Sequence, residues 1–181
     1  MHRVTWSVLL TLLASIPAAS AEVVFENARF RAVLGDDAVW RSFVDNKSGK
    51  EYCAAKARVK FADAVVAGKS HAANRASLSG ARLTIGLAGC DTQLVYSVEK
   101  NEDWVAFRLD EIAGTRPSHV TVVRVGVTIT QRVGSCLGGA WNRDYAVCLR
   151  GLNLQTSGHC SRAGDHVQLV SAAQDAPGPK L

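Results

Sequence analysis

The chain has 181 residues, 48% of them hydrophobic and 20% charged, with 15 Gly and 4 Pro, a composition that excludes disordered, collagen-like and coiled-coil classes. Its 22 Val, 4 Ile and 9 Thr supply many β-branched side chains, which suit pleated, half-buried strands better than helices. The net charge of +5 is spread without a basic block, so the electrostatic footprint of a nucleic-acid partner is missing and none is expected.

His2 and Arg3 precede a mostly apolar run over residues 4–16, and Ala19-Ser20-Ala21 places small residues at −3 and −1 before Glu22. This pattern predicts a signal peptide over residues 1–21 and a secreted or periplasmic protein. The run is shorter than the roughly 20 apolar residues that span a bilayer, and no later stretch reaches that length, so no membrane partner is expected after cleavage. The 160 residues that remain can form one core without metal or disulfide staples. One domain is therefore expected over residues 22–175, with a linker-like end over residues 176–181, where Pro177-Gly178-Pro179 stands.

Residues 23–34 alternate, with Ala28, Phe30 and Ala32 on one face, and Gly35-Asp36-Asp37 ends them. Residues 38–44 carry Val39, Trp40 and Phe43, and the turn formers from Asp45 to Lys50 close them, which predicts a hairpin. A helical turn is expected within residues 51–58. Residues 57–66 read as a strand, and residues 67–80 are small and polar enough to read as a loop. Leu83, Ile85 and Leu87, then Leu94, Tyr96 and Val98, predict a second hairpin around residues 88–91.

Residues 104–112 place Val105, Phe107 and Leu109 on one side, and Gly114 and Pro117 turn the chain. In residues 119–130 the valines change from even to odd positions, so a β-bulge near Val122 and Val123 is expected to restore one buried face. Residues 134–139 read as a loop, and residues 145–154 and 166–172 as the last strands. Eight to ten strands joined by hairpin-like turns predict an all-β fold, an antiparallel, supersandwich-like β-sandwich, with a closed barrel as the alternative.

No catalytic motif stands out. The Gly134–Gly139 loop lacks the Lys-Ser/Thr ending and following helix of a phosphate loop. His159, Cys160 and His166 lack the second ligand pair that zinc requires, and His159 and Cys160 read as part of a surface loop. Ser135, Cys136 and His119 follow no nucleophile-elbow pattern. The carboxylates of Glu102-Asp103 and Asp110-Glu111 are sequence neighbours and point to opposite faces of a strand, unlike the facing pair of a glycosidase. No catalytic residue, metal or cofactor is expected.

A sugar site needs an aromatic face beside planar polar groups, and Trp141, Asn142, Asp144 and Tyr145 combine these within five residues; Trp40 and Trp104 are further platforms. The five cysteines sit at 53, 90, 136, 148 and 160, an odd number, and Cys136 with Cys148 is the expected disulfide pair.

Residues 26–34 and 40–52 follow the form E-N-x-x-hydrophobic-x-hydrophobic, a turn, then hydrophobic-V-D-K-x-T/S-G-K-E-Y, here Val44-Asp45-Asn46-Lys47-Ser48-Gly49-Lys50-Glu51-Tyr52. This opening, with residues 125–127 and 141–156, resembles the N-terminal, galactose-mutarotase-like β-sandwich domains of large secreted bacterial glycoside hydrolases. In that family the sandwich packs against a catalytic (β/α)8 barrel that supplies the carboxylates. The resemblance implies a non-catalytic domain that supports the barrel and flanks a carbohydrate substrate. The alternative is a self-sufficient exported module that binds carbohydrate or protein. A supporting domain is expected to expose a broad apolar face, and a module to be polar except at its ligand site.

Overall fold

The computed structural model describes residues 22–153 and 155–174. The predicted leader and linker lie outside these residues. In chain order the strands are β1 (Val23–Glu26), β2 (Phe30–Leu34), β3 (Trp40–Asp45), β4 (Asp63–Val66), β5 (Lys69–Ser79), β6 (Arg82–Leu87) and β7 (Gln93–Lys100). They continue with β8 (Val105–Ala113), β9 (His119–Val127), β10 (Arg132–Gly134), β11 (Gly139–Trp141), β12 (Ala146–Cys148), β13 (Thr156–Ala163) and β14 (His166–Gln174). The helical segments among the described residues are two 3-10 turns, Ala55–Ala57 and Ser135–Leu137. The first falls where a helical turn is expected.

The protein is all-β and antiparallel. An eight-stranded sheet runs in the order β13-β14-β9-β4-β5-β6-β7-β8, and two three-stranded sheets run β1-β2-β3 and β10-β11-β12. The large sheet curls. It stays open, with β13 and β8 as its edges, so stacked layers are formed and not the closed barrel of the alternative expectation.

The bulge in β9 lies where the valine pattern places it. Ser171 faces Val123 and Ala172 faces Thr121, which leaves Val122 as the extra residue. Its carbonyl, turned out of the ladder, accepts the Tyr96 hydroxyl at 2.8 Å. Tyr96 is fully enclosed, and burial pushes its phenol well above the usual range. Phe61 is the hub of the core. Its ring meets Trp40 at 5.6 Å, Tyr96 at 5.6 Å and Phe107 at 5.3 Å, and Phe107 meets Phe25 edge-on at 5.0 Å. These aromatic contacts lock the β1–β3 sheet onto β7 and β8.

Four expectations are corrected. Residues 23–34 do not form one strand; Asn27 turns the chain, and β1 pairs antiparallel with β2. Residues 67–80 are not a loop but carry β5, hydrogen-bonded to β4 on one side and β6 on the other. Its entry is a two-residue turn with Ala67 and Gly68 at φ 48° and 76°, the backbone hand that joins twisted strands. Small residues suffice because β5 buries only Ala73 and Ala76 and is held by its two ladders.

The strand expected over residues 145–154 shortens to β12. His159 and Cys160 lie in β13, which pairs with β14 along its whole length, and not in a loop. Cys160 is the one fully buried side chain of β13, so no alternation of large apolar residues marks it.

Candidate functional site

Three hairpin tips are built by the same four-residue device. Asn27 Oδ1 accepts the amides of Arg29 at 2.9 Å and Phe30 at 3.0 Å. Asn101 Oδ1 accepts those of Asp103 and Trp104, both at 2.9 Å. Asn142 Oδ1 accepts those of Asp144 at 2.9 Å and Tyr145 at 2.8 Å. In each tip the Asn amide also donates to the carbonyl of the aromatic residue, at 3.1, 3.0 and 3.0 Å. A short acceptor side chain that satisfies two backbone donors fixes the turn, and the aromatic ring three residues on takes a set direction.

The three tips belong to β1–β2, β7–β8 and β11–β12, which are distant in sequence. Their aromatic residues Phe30, Trp104 and Tyr145 nonetheless line one cleft of about 300 Å³. Its walls include Phe25, Trp40, Phe107, Val123 and Leu169, drawn from the small sheet and from strands near both edges of the curled sheet. Arg29 and Asp103 stand on its border, and Arg29 Nε bonds Asp103 Oδ1 at 2.7 Å, which joins two of the tips. That hydrogen bond, and then the charge of Asp103, raise the guanidinium pKa above its ordinary value. Trp104 is 47% exposed.

Of the four residues expected to face a sugar, only Tyr145 lines this cleft. Trp141 is half-buried in β11, opposite Arg132 and Ala146. Asn142 spends its side-chain acceptor on the turn. Asp144 is exposed and pairs with Lys50 at 3.7 Å, tying the third tip to the turn after β3. Trp40 is buried, with its ring N–H donated to the Arg124 carbonyl at 2.6 Å, and its ring forms part of the wall. Trp104 stands at the border. Arg29, Phe30 and Asp103 were not expected there; the shared pattern Asn-x-(Arg or Asp)-aromatic is the signal that could have found them.

Tyr145 stacks on Tyr52 with ring centres 4.9 Å apart and 13° between planes, and Lys50 Nζ sits 5.2 Å from the Tyr52 ring centre. Burial, then the nearby Asp45 and Tyr52, push the Tyr145 phenol up to about 12. Tyr52 is 2% exposed, and its hydroxyl has no hydrogen-bond partner among the described residues. A buried hydroxyl without a partner costs about 1–3 kcal/mol. Tyr52→Phe is therefore expected to raise stability by about 1 kcal/mol, read as a higher urea midpoint at unchanged m. A lower midpoint would show that the hydroxyl is satisfied in solution.

Cys136 and Cys148, the expected disulfide pair, lie on the 3-10 turn and at the end of β12. Both are close enough to buried Cys160 to raise its thiol pKa, although its burial is the larger cause. The Cys160 thiol lies within hydrogen-bond reach of the carbonyls of Gly134 at 3.3 Å and Gly139 at 3.2 Å, which bracket the turn and share its one proton.

Among the described residues no helix is long and apolar enough to cross a membrane. Comparison with known proteins finds no matching family model, no matching curated protein and no matching solved structure.

Proposed function

We propose that the chain is a non-catalytic binding module of an exported protein, and that it takes its ligand in the cleft ringed by the three Asn-turned tips. The convergence of Phe30, Trp104 and Tyr145 from three separate hairpins onto one opening carries this reading. Pockets of this size, lined by aromatic and aliphatic side chains with a few polar groups at the edge, are typical ligand sites.

Support of a (β/α)8 barrel, the office implied by the glycoside hydrolase resemblance, calls for a broad exposed apolar face. Among the described residues the exposed large apolar side chains are Trp104 and Leu152, and Trp104 borders the cleft. This favours the self-sufficient module. Within the module reading, a sugar ring deep in the cleft would bring several hydroxyls against hydrocarbon walls, each at a cost of about 1–3 kcal/mol without a partner. An apolar moiety suits the walls better, and carbohydrate contact is confined to the border.

The test is a methyl NMR titration of the purified chain with indole and, separately, with a panel of soluble oligosaccharides. Indole is expected to shift the Val123, Val125 and Leu169 methyls, and Ala146→Phe, which enlarges an exposed side chain on the lining, is expected to reduce the shift. Shifts produced by an oligosaccharide alone would return the assignment to carbohydrate. Unmoved cleft methyls with every probe, or turnover of an aryl glycoside by the purified chain, would overturn the reading.

A further inference from the structure

We propose that the ligand is an uncharged, single-tailed amphiphile whose hydrocarbon tail fills the cleft while its polar head rests against the outer side of the Arg29–Asp103 pair; this rests on the cleft being the ligand site. Three features specify the class. The first is volume: 300 Å³ is about twice the engineered cavity that takes the six carbons of benzene, which gives room for roughly a dozen heavy atoms.

The second is the chemistry of the wall. Phe25, Phe107, Val123 and Leu169 offer hydrocarbon, and the ring N–H of Trp40 is already committed to the Arg124 carbonyl. A polar group carried past the rim would lose water and gain little, whereas each methylene gains from burial.

The third is the border. Trp104 and Tyr145 are rings with one apolar body and one polar tip, the kind of side chain that settles where a dry region meets a wet one. Beside them Arg29 and Asp103 neutralise each other at 2.7 Å, and Glu102 adds further negative charge near the guanidinium. An anionic head must displace Asp103 from Arg29 against that charge, and a cationic head must displace Arg29 from Asp103, so either one breaks the pair made at 2.7 Å. A neutral hydroxyl, amide or ester meets both partners without breaking their pair.

The experiment titrates the purified chain with 1-hexanol, 1-octanol, 1-decanol, decanoate and decyltrimethylammonium below their aggregation limits. Binding is followed by tryptophan fluorescence and by the methyls of Val123, Val125 and Leu169. The dissociation constant is expected to fall about fourfold per added methylene until the cleft is full. 1-Decanol is expected to bind several-fold more tightly than either charged analogue. Asp103→Asn, which releases Arg29, is expected to narrow the gap between 1-decanol and decanoate. No dependence on chain length, a preference for decanoate, or an unchanged gap in Asp103→Asn would each overturn the proposal. Indole binding without alkanol binding sinks the amphiphile while the module stands, and silence of both probes sinks the two together.

Discussion

Phe61→Ala is expected to cost about 4 kcal/mol of folding stability, within the range for removing a fully buried Phe ring. Phe61 has no exposed surface, and its ring is the common neighbour of Trp40, Tyr96 and Phe107. Three rigid rings anchored on different strands cannot collapse into the space. Trp40 is held by its bond to the Arg124 carbonyl and Tyr96 by its bond to the Val122 carbonyl, so the void persists. Against a total stability of about 5–15 kcal/mol for a domain, such a loss lowers the melting temperature by roughly 10 °C. A urea titration with unchanged m reads it directly. A loss below about 1 kcal/mol would mean that the small sheet does not dock through these rings.

The second large effect is expected at Gly114, where the backbone has φ +79°. A Cβ added there would stand 2.6 Å from the Asp91 carbonyl oxygen and 2.9 Å from its carbon, both main-chain atoms that cannot swing aside. The neighbourhood is tied down as well. Thr115 donates its amide to Asp91 Oδ1 at 3.2 Å, and Thr92 Oγ1 donates to the Thr115 carbonyl at 2.7 Å. Bonding to Thr115 also holds the Asp91 carboxyl below the usual carboxylate range.

Gly114→Ala combines about 1–2 kcal/mol for the left-handed backbone with about 1–3 kcal/mol for overpacking, roughly 3 kcal/mol together. Gly164 supplies the control. Its φ is +67°, but an added Cβ meets nothing within 4 Å, so Gly164→Ala is expected to show the backbone cost alone. Chemical denaturation of the two variants separates the contributions. Equal losses would show that the Asp91 carbonyl yields and that the close approach carries no penalty.

How much could be read in advance depended on side-chain size. β6, β7 and β8 were legible because Leu83, Ile85 and Leu87, then Leu94, Tyr96 and Val98, then Val105, Phe107 and Leu109 recur at every second position. The shift of the valines in β9 even located the bulge at Val122. β5 and β13 were illegible for the opposite reason: Ala73, Ala76 and Cys160 are small, and the ladders on either side of β5 and the full-length pairing with β14 set their course. Local propensity is silent where neighbouring strands decide.

The candidate site followed the same division. Trp141, Asn142, Asp144 and Tyr145 were singled out by their chemistry and not as a turn, and of the four Tyr145 alone reaches the cleft. The meeting of that ring with Phe30 and Trp104 depends on the curl of the eight-stranded sheet and on the docking of β1–β3. Those are long-range properties, and no window of sequence contains them. Trp141 drew attention by its type, yet its place beside Arg132 and Ala146 is set by strand pairing.

Because each tip carries its own closure, with one asparagine binding two amides of its own loop, the loops are interchangeable parts. The four residues Asn101 to Trp104 share their spacing and the acid at the third position with Asn142 to Tyr145, so exchange between these two tips asks nothing new of the flanking ladders, whereas the β1–β2 tip must keep Arg29 for its pair with Asp103. The aperture could thus be re-furnished with other rings and charges while the scaffold keeps its registers, which makes the protein a natural starting point for engineered selectivity.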